Sequence, residues 1–244
     1  MEWIDQAIIL SVRKHGETSA IVSLLTRANG RYAGLVRGGA GKGARGILQP
    51  GNRVDARWRA RLAEHLGTLA CEMNHAYSAA VLDEPDRLAA LSAACAITEA
   101  ALPEREPFPA VHDGLVALLD AIENGVWPVA YVRWELGLLA QLGFGLDLSE
   151  CAATGRNDQL AYVSPKTGRA VSMAAGEPYR SRLLGLPAFL VAGGGNGATD
   201  EAVVEGLRLT GHFLEHHVFA ATGATIPAAR RRLEERLRHA AGAP

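Results

Sequence analysis

The chain has 244 residues, 48% hydrophobic and 21% charged, with a formal net charge of −1. That composition is ordinary for a globular protein and excludes wholesale disorder. Three widely spaced cysteines, Cys71, Cys95 and Cys151, exclude a disulfide framework and suit a reducing cytoplasm. The opening Met1-Glu2-Trp3-Ile4-Asp5 lacks the basic head of a signal peptide, and no apolar run reaches membrane-spanning length, so a cytoplasmic protein is expected.

The near-zero charge hides a lopsided distribution. Between Ile9 and Leu62 eleven Lys or Arg stand against two acids, a net of +9, so the remainder carries −10. Such segregation suggests a polyanion-binding module attached to an acidic body. The alternative is a solvated basic surface.

In chain order, Gln6–Val12 reads as a strand with Ile8, Leu10 and Val12 on one face, and Ala20–Thr26 as a second strand. Asn29-Gly30 is a hairpin signal returning into a third strand over Tyr32–Arg37. The stretch from Gly38 to Gly46 is too glycine-rich to hold regular structure and is expected to be a long mobile loop carrying Lys42 and Arg45. Val54–Leu62 alternates, with Val54, Ala56, Trp58, Ala60 and Leu62 inward and Asp55, Arg57, Arg59 and Arg61 outward. Leu66–Met73 completes five short strands, the count of an OB-type barrel.

Beyond Asp83 the apolar period changes from two to about 3.6 residues. Helices are expected over Asp86–Leu102, Pro109–Asn124, Pro128–Leu142, Asp200–Phe219 and Pro227–His239. Between the third and fourth, Leu160–Val163 and Ala170–Met173 read as a small hairpin. The run Gly193-Gly194-Gly195-Asn196-Gly197 reads as a flexible loop before a helix capped by Asp200. The fold class is α+β, with a barrel domain over 1–80, a mostly helical domain over 81–244 and a hairpin insert at about 149–175.

Arg57, Arg59 and Arg61 form a row suited to a phosphate backbone, or else a charged guard on an exposed edge strand. Lys42, Arg45 and Arg53 lie close in sequence and reinforce the patch. Trp58 shares the apolar face and reads as core rather than a base-stacking platform, whereas Tyr32 suits either stacking or packing. Around Lys42 the glycine spacing is wrong for a P-loop and Gly43 stands where Ser or Thr would bind magnesium, so nucleotide hydrolysis is not expected. His212-Phe213-Leu214-Glu215-His216 matches the letters of inverted zinc peptidases, but no third protein ligand is evident, and an exposed polar helix face explains it as well.

Ala7 to Ser19, Arg31 to Gly38 and Leu48-Gln49-Pro50-Gly51 resemble the opening barrel of the RecO family of recombination mediators. Val132-Arg133-Trp134-Glu135-Leu136-Gly137-Leu138-Leu139, continued by Gln141 to Leu146 and ending at Cys151, resembles its signature helix. The resemblance implies an OB domain before a helical body interrupted by a zinc-finger-like hairpin. It implies a non-enzymatic protein that binds single- and double-stranded DNA, anneals strands and, with RecR, helps load RecA; RecF is a further candidate partner. The DNA contacts would come from Arg13, Lys14, Arg31, Arg37, Lys42, Arg45, Arg53, Arg57, Arg59 and Arg61. Arg133 is the candidate cation for the acidic tail of single-strand-binding protein, or else a surface arginine of an amphipathic helix. Zinc-bearing relatives carry four hairpin cysteines, whereas in this chain Cys151 is alone and Thr154 stands where a second is expected. No structural zinc, and no other cofactor, is therefore expected.

Overall fold

The computed structural model describes residues 1–62, 64–195 and 197–242. The Asn196 position of the expected glycine loop, and the last two residues of the expected helical domain, lie outside the described residues. The chain separates into two compact units, Met1–Gly125 with Pro227–Arg230, and Val126–Ile226 with the residues from Arg231 on.

The first unit begins with β1 (Glu2–His15), longer at both ends than its apolar pattern alone requires. It pairs antiparallel with β2 (Ser19–Thr26), and β2 with β3 (Gly30–Val36). The Asn29-Gly30 turn forms where expected: Gly30 takes φ +77°, and the Thr26 hydroxyl accepts from the Asn29 N–H at 2.9 Å. A single helical turn, α1 (Lys42–Arg45), precedes β4 (Arg53–Arg59) and β5 (Thr68–His75). The five strands close into a barrel in the order β1-β2-β3-β5-β4. Stepping from Glu2 to its partner Arg59, then to Thr68, Leu35 and Ile21, returns to β1 at Arg13, 11 residues beyond the start. A stagger of this kind is what closure of tilted strands requires.

The structure corrects three sequence expectations. Ile8, Leu10 and Val12 do not share a face, because a bulge between Ile9 and Ser11 leaves Leu10 without a partner on β2. The extra residue reverses the alternation. Val12 therefore joins Ala7 and Ile9 against the barrel core, while Ile8 and Leu10 are buried on the outer side. There β1 meets α3 (Pro85–Ala101), with the Ser11 hydroxyl donating to Glu99 at 2.5 Å. Second, β4 ends at Arg59, so Leu62 is 47% exposed and Arg61 is not part of the strand row. Third, the glycine-rich stretch is not wholly a mobile loop, because Ala44, Ile47 and Leu48 pack on the barrel core and fix α1 in place.

Trp58 fills the barrel interior. It is 1% exposed, and its indole N–H donates to both the Ala33 and Leu66 carbonyls at 3.1 Å. Gly67, at φ +70°, makes the slot: a Cβ there would stand 2.5 Å from the indole ring. Trp3 stacks on Trp58 with centroids 6.0 Å apart, and Tyr32 meets both rings edge-on at 5.2 Å. The unit is completed by α2 (Tyr77–Ala80), α3 and α4 (Pro109–Glu123), with the Tyr77 hydroxyl donating to Asp120 at 2.5 Å.

The second unit opens with α5 (Trp127–Gln141), which packs against the later α7 (Asp200–Phe213). Between them, buried Glu135 accepts a hydrogen bond from the Thr210 hydroxyl. The expected hairpin is present as β6 (Leu160–Val163) and β7 (Ala170–Ser172). It is followed by α6 (Met173–Gly176), a 3-10 turn over Glu177–Arg182, and β8 (Leu184–Gly185), which pairs on the other side of β6. Thr199, not Asp200, caps α7, its hydroxyl accepting from the Ala202 N–H. The expected long helix to Phe219 becomes a π-helical turn at Leu214–Phe219. The last element is α8 (Ala228–Ala240).

Trp58→Ala is expected to cost about 3–5 kcal/mol, the usual penalty for emptying a large aromatic site. Trp58→Phe keeps most of the packing but strips two carbonyls of their donor, and should cost about 1–3 kcal/mol. Urea denaturation of the full chain measures both.

Candidate nucleic-acid interface

The strand register gathers half of the expected contact residues at one end of the barrel. Lys14 lies opposite Ala20, and Ala20 opposite Val36, so the end of β1, the start of β2 and the end of β3 run side by side. Arg13 and Lys14 project from the first and Arg37 follows the last. The glycine stretch is tied to the same end, because the Ala40 N–H donates to the Thr18 carbonyl at 2.9 Å. Below it Asn52, fully buried, donates to the Gly46 and Ile47 carbonyls at 3.0 and 3.1 Å and accepts from the Ser78 N–H and hydroxyl at 3.1 and 2.8 Å. One buried amide thus pairs with four polar groups and holds the turn that carries Lys42 and Arg45. Among the described residues, the side chains of Arg13, Lys14, Arg37, Lys42 and Arg45 are exposed and make no ion pair or hydrogen bond. Glu17, in the β1–β2 turn, is the acid nearest them in sequence.

The arginine row is shorter and partly compensated. Arg57 and Arg59 alternate outward on β4, opposite Ile4 and Glu2 of β1 and Ala70 and Thr68 of β5. Since β4 is paired on both sides, the charges do not guard an edge. Arg57 Nε lies 3.8 Å from Glu2, both side chains being largely exposed. Such a pair contributes about 0–1 kcal/mol and leaves the arginine free to exchange partners.

Two expected contacts serve the fold. Arg31, 17% exposed, donates to the Leu102 carbonyl at 2.9 Å and pairs with Glu104 at 3.3 Å. Arg53 donates to Asn74 at 2.9 Å, and Asn74 in turn to Asp55. Tyr32 packs edge-on with Trp3 and Trp58, and the Arg105 guanidinium lies 5.4 Å over its ring, covering that face. Arg105 was missed in the sequence because its role depends on an unusual φ of +64° and on a partner far along the chain.

In the second unit, Arg133 is exposed on α5 and donates to the Phe189 and Gly195 carbonyls at 2.8 and 2.7 Å. These two bonds fix a loop end. Cys151 is buried and receives the Ser172 N–H at 3.3 Å. Burial opposes its ionisation, but hydrogen bonds from Thr154, Ser172 and Ala153 outweigh it and hold the thiol low, at about 6. This sulfur is served by hydroxyl and amide donors rather than by companion thiolates, and that donor set does not fit tetrahedral zinc. By contrast, burial alone pushes the Cys71 thiol up to about 12.

His212 and His216 stack with centroids 4.2 Å apart, and a ring nitrogen of His216 lies 2.9 Å from the His212 carbonyl. Among the described residues no three His, Cys, Asp or Glu side chains are grouped to hold a metal. Among the same residues no helix is long and apolar enough to cross a membrane.

The molecule is thus an α+β protein built on a small closed barrel, one end of which carries five exposed cations without partners among the described residues. Two family models cover most of it: Recombination protein O N terminal over residues 1–77, and Recombination protein O C terminal over residues 82–224. The chain is 61% identical over 242 residues to the DNA repair protein RecO of Rhodospirillum centenum, covering 98% of this chain and 96% of that one. It is 54% identical to the proteins of the same name from Rhodospirillum rubrum and Phenylobacterium zucineum, covering 98% of this chain and 97% and 99% of theirs. The chain belongs to the RecO family.

Asn52→Ala leaves the Ser78 N–H and two carbonyls without their partner and should cost about 1–3 kcal/mol, measured by thermal denaturation. X-ray fluorescence of the purified protein should show no stoichiometric zinc; a full equivalent would overturn the reading of Cys151.

Proposed function

We propose that this chain is a non-enzymatic DNA repair and recombination mediator that binds single- and double-stranded DNA without sequence specificity through the basic end of an OB-type barrel. The observation that carries this is the group of five exposed cations, Arg13, Lys14, Arg37, Lys42 and Arg45, without partners among the described residues and held by register and by Asn52. Unpaired cations fixed on a rigid scaffold release counterions from a nucleic acid at little ordering cost. Arg57, Arg59 and Arg61 extend the contact; Arg31 and Arg53 contribute through position and field. Family membership and the names of the relatives support the repair role.

On the same reading, residues 1–80 form the DNA-binding domain, and the helical domain over 81–244 meets protein partners, with the hairpin as a zinc-free remnant of a zinc finger. The chain anneals complementary strands in the cytoplasm and, with RecR, assists RecA loading, RecF being a further candidate partner. Arg133 faces the acidic tail of single-strand-binding protein, its guanidinium already oriented by two carbonyls.

Titration of labelled single-stranded DNA at several salt concentrations tests the reading. Five phosphate contacts predict that the logarithm of the affinity falls with the logarithm of salt with a slope of about −3 to −4. Reversing Arg13, Lys14 and Arg37 to glutamate should weaken binding by about tenfold or more at unchanged thermal stability. The same reversal at Arg57, Arg59 and Arg61 should have a smaller effect, Glu2 already compensating part of that row. Salt-independent binding, or none, contradicts the proposal, and preference for tRNA over DNA in competition would favour an RNA-binding module instead.

A further inference from the structure

The barrel supplies phosphate contacts but offers no aromatic platform, because Trp3, Tyr32 and Trp58 pack on one another. Contacts of that kind do not separate a single strand from a duplex. Stacking on unpaired bases does, and it needs an accessible ring. Among the described residues one Phe, Trp or Tyr falls in the exposed class: Tyr179, 59% exposed, in the 3-10 turn Glu177–Arg182 of the second unit. Among those residues its ring has no aromatic neighbour and its hydroxyl no hydrogen-bond partner. An exposed large apolar side chain is the informative exception in a folded surface.

The turn fixes what stands beside that ring. A 3-10 helix has three residues per turn, so side chains at i and i+3 eclipse. Tyr179 and Arg182 therefore leave the turn on one side, and Glu177 and Arg180 on another. Arg182 is exposed and makes no ion pair or side-chain hydrogen bond among the described residues. Arg180 of the same turn is likewise exposed and without a side-chain partner among the described residues, whereas in the hairpin region Arg156 is held by Asp158 at 2.9 and 3.0 Å, and Arg169 by Asp147 and Glu150 at 3.5 Å. The turn is anchored from below, since Gly176 is buried against Tyr162, where a Cβ would stand 2.4 Å from that ring. Pro178 stiffens its first residues. The ring and the guanidinium are thus presented at low entropic cost.

We infer that Tyr179 and Arg182 form a second nucleic-acid contact, specific for single strands, in which a base stacks on the Tyr179 ring and an adjacent phosphate pairs with Arg182. This rests on the DNA-binding reading and adds to it a site outside the barrel. An acidic peptide would also be drawn to Arg182, but the exposed ring beside it suits a base, which stacks on either face of an aromatic side chain.

The test compares Tyr179→Ala, Tyr179→Phe and Arg182→Ala in the full chain, using fluorescence anisotropy with an oligothymidylate and a blunt duplex of equal length. Tyr179→Ala should lose about fivefold or more on the single strand and less than twofold on the duplex, with Tyr179→Phe close to wild type. Arg182→Ala should weaken single-strand binding and reduce its salt slope by about one contact. Equal affinity of Tyr179→Ala and wild type on the single strand overturns the inference while leaving the barrel reading intact. Equal loss on both DNAs also overturns it, as would a loss seen only with an acidic peptide. Absence of any DNA binding by the wild type would overturn both readings. Since Tyr179 is exposed, unchanged thermal stability of the variants is expected and excludes misfolding as the cause.

Discussion

The outer surface of the barrel is organised by the indole inside it. Trp58 occupies a slot that Gly67 leaves open, and its single N–H serves two carbonyls, on β3 and just before β5. Because side chains alternate along a strand, burying Trp58 obliges Arg57 and Arg59 to point into solvent. The same indole, with Trp3 and Tyr32, consumes the barrel's aromatic surface in packing. The barrel's rings are turned inward and its Arg57 and Arg59 guanidiniums outward, an arrangement that suits the proposed phosphate contact better than base stacking. Pair energies of about 0.5–1.5 kcal/mol between such rings make this arrangement costly to rearrange.

Much of this was legible in the sequence, for definite reasons. The helices follow the 3.6-residue period and begin at Pro85, Pro109 and next to Pro128, where a missing N–H costs nothing. The five strands and the small hairpin are expected from the apolar pattern and the turn residues, and alternation over Val54–Leu62 separates Trp58 from the arginine row. The bulge on β1 was not legible, since a single unpaired residue leaves no compositional mark. The turn Lys42–Arg45 did have a signal, Ala44, Ile47 and Leu48 at helical spacing, overshadowed by the surrounding glycines. Arg31 and Arg53 looked like free cations because Glu104 and Asn74 lie 73 and 21 residues away. Exposure of Tyr179 has no sequence signature at all.

The hairpin of the second unit is held by strand pairing and hydrogen bonds. Its Cys151 sulfur is buried, accepts from the Ser172 N–H and lies beside the Thr154 hydroxyl. A third strand, β8, pairs on the other side of β6. The segment after β7 runs on through Gly176 into a short turn, and that turn carries the exposed tyrosine. If Tyr179 stacks on bases as inferred, the two units divide the work on DNA. The barrel then contributes charge, and the hairpin region contributes discrimination for unpaired bases.

The most direct measurement of DNA binding at the basic end of the barrel is hydrogen exchange, read by mass spectrometry, on the full chain with and without saturating single-stranded DNA. The expected result is slowed exchange in peptides spanning 13–20 and 37–48, where the unpaired cations and the Asn52-held turn meet. Slowed exchange confined to other segments, with those two stretches unchanged under full occupancy, would contradict it.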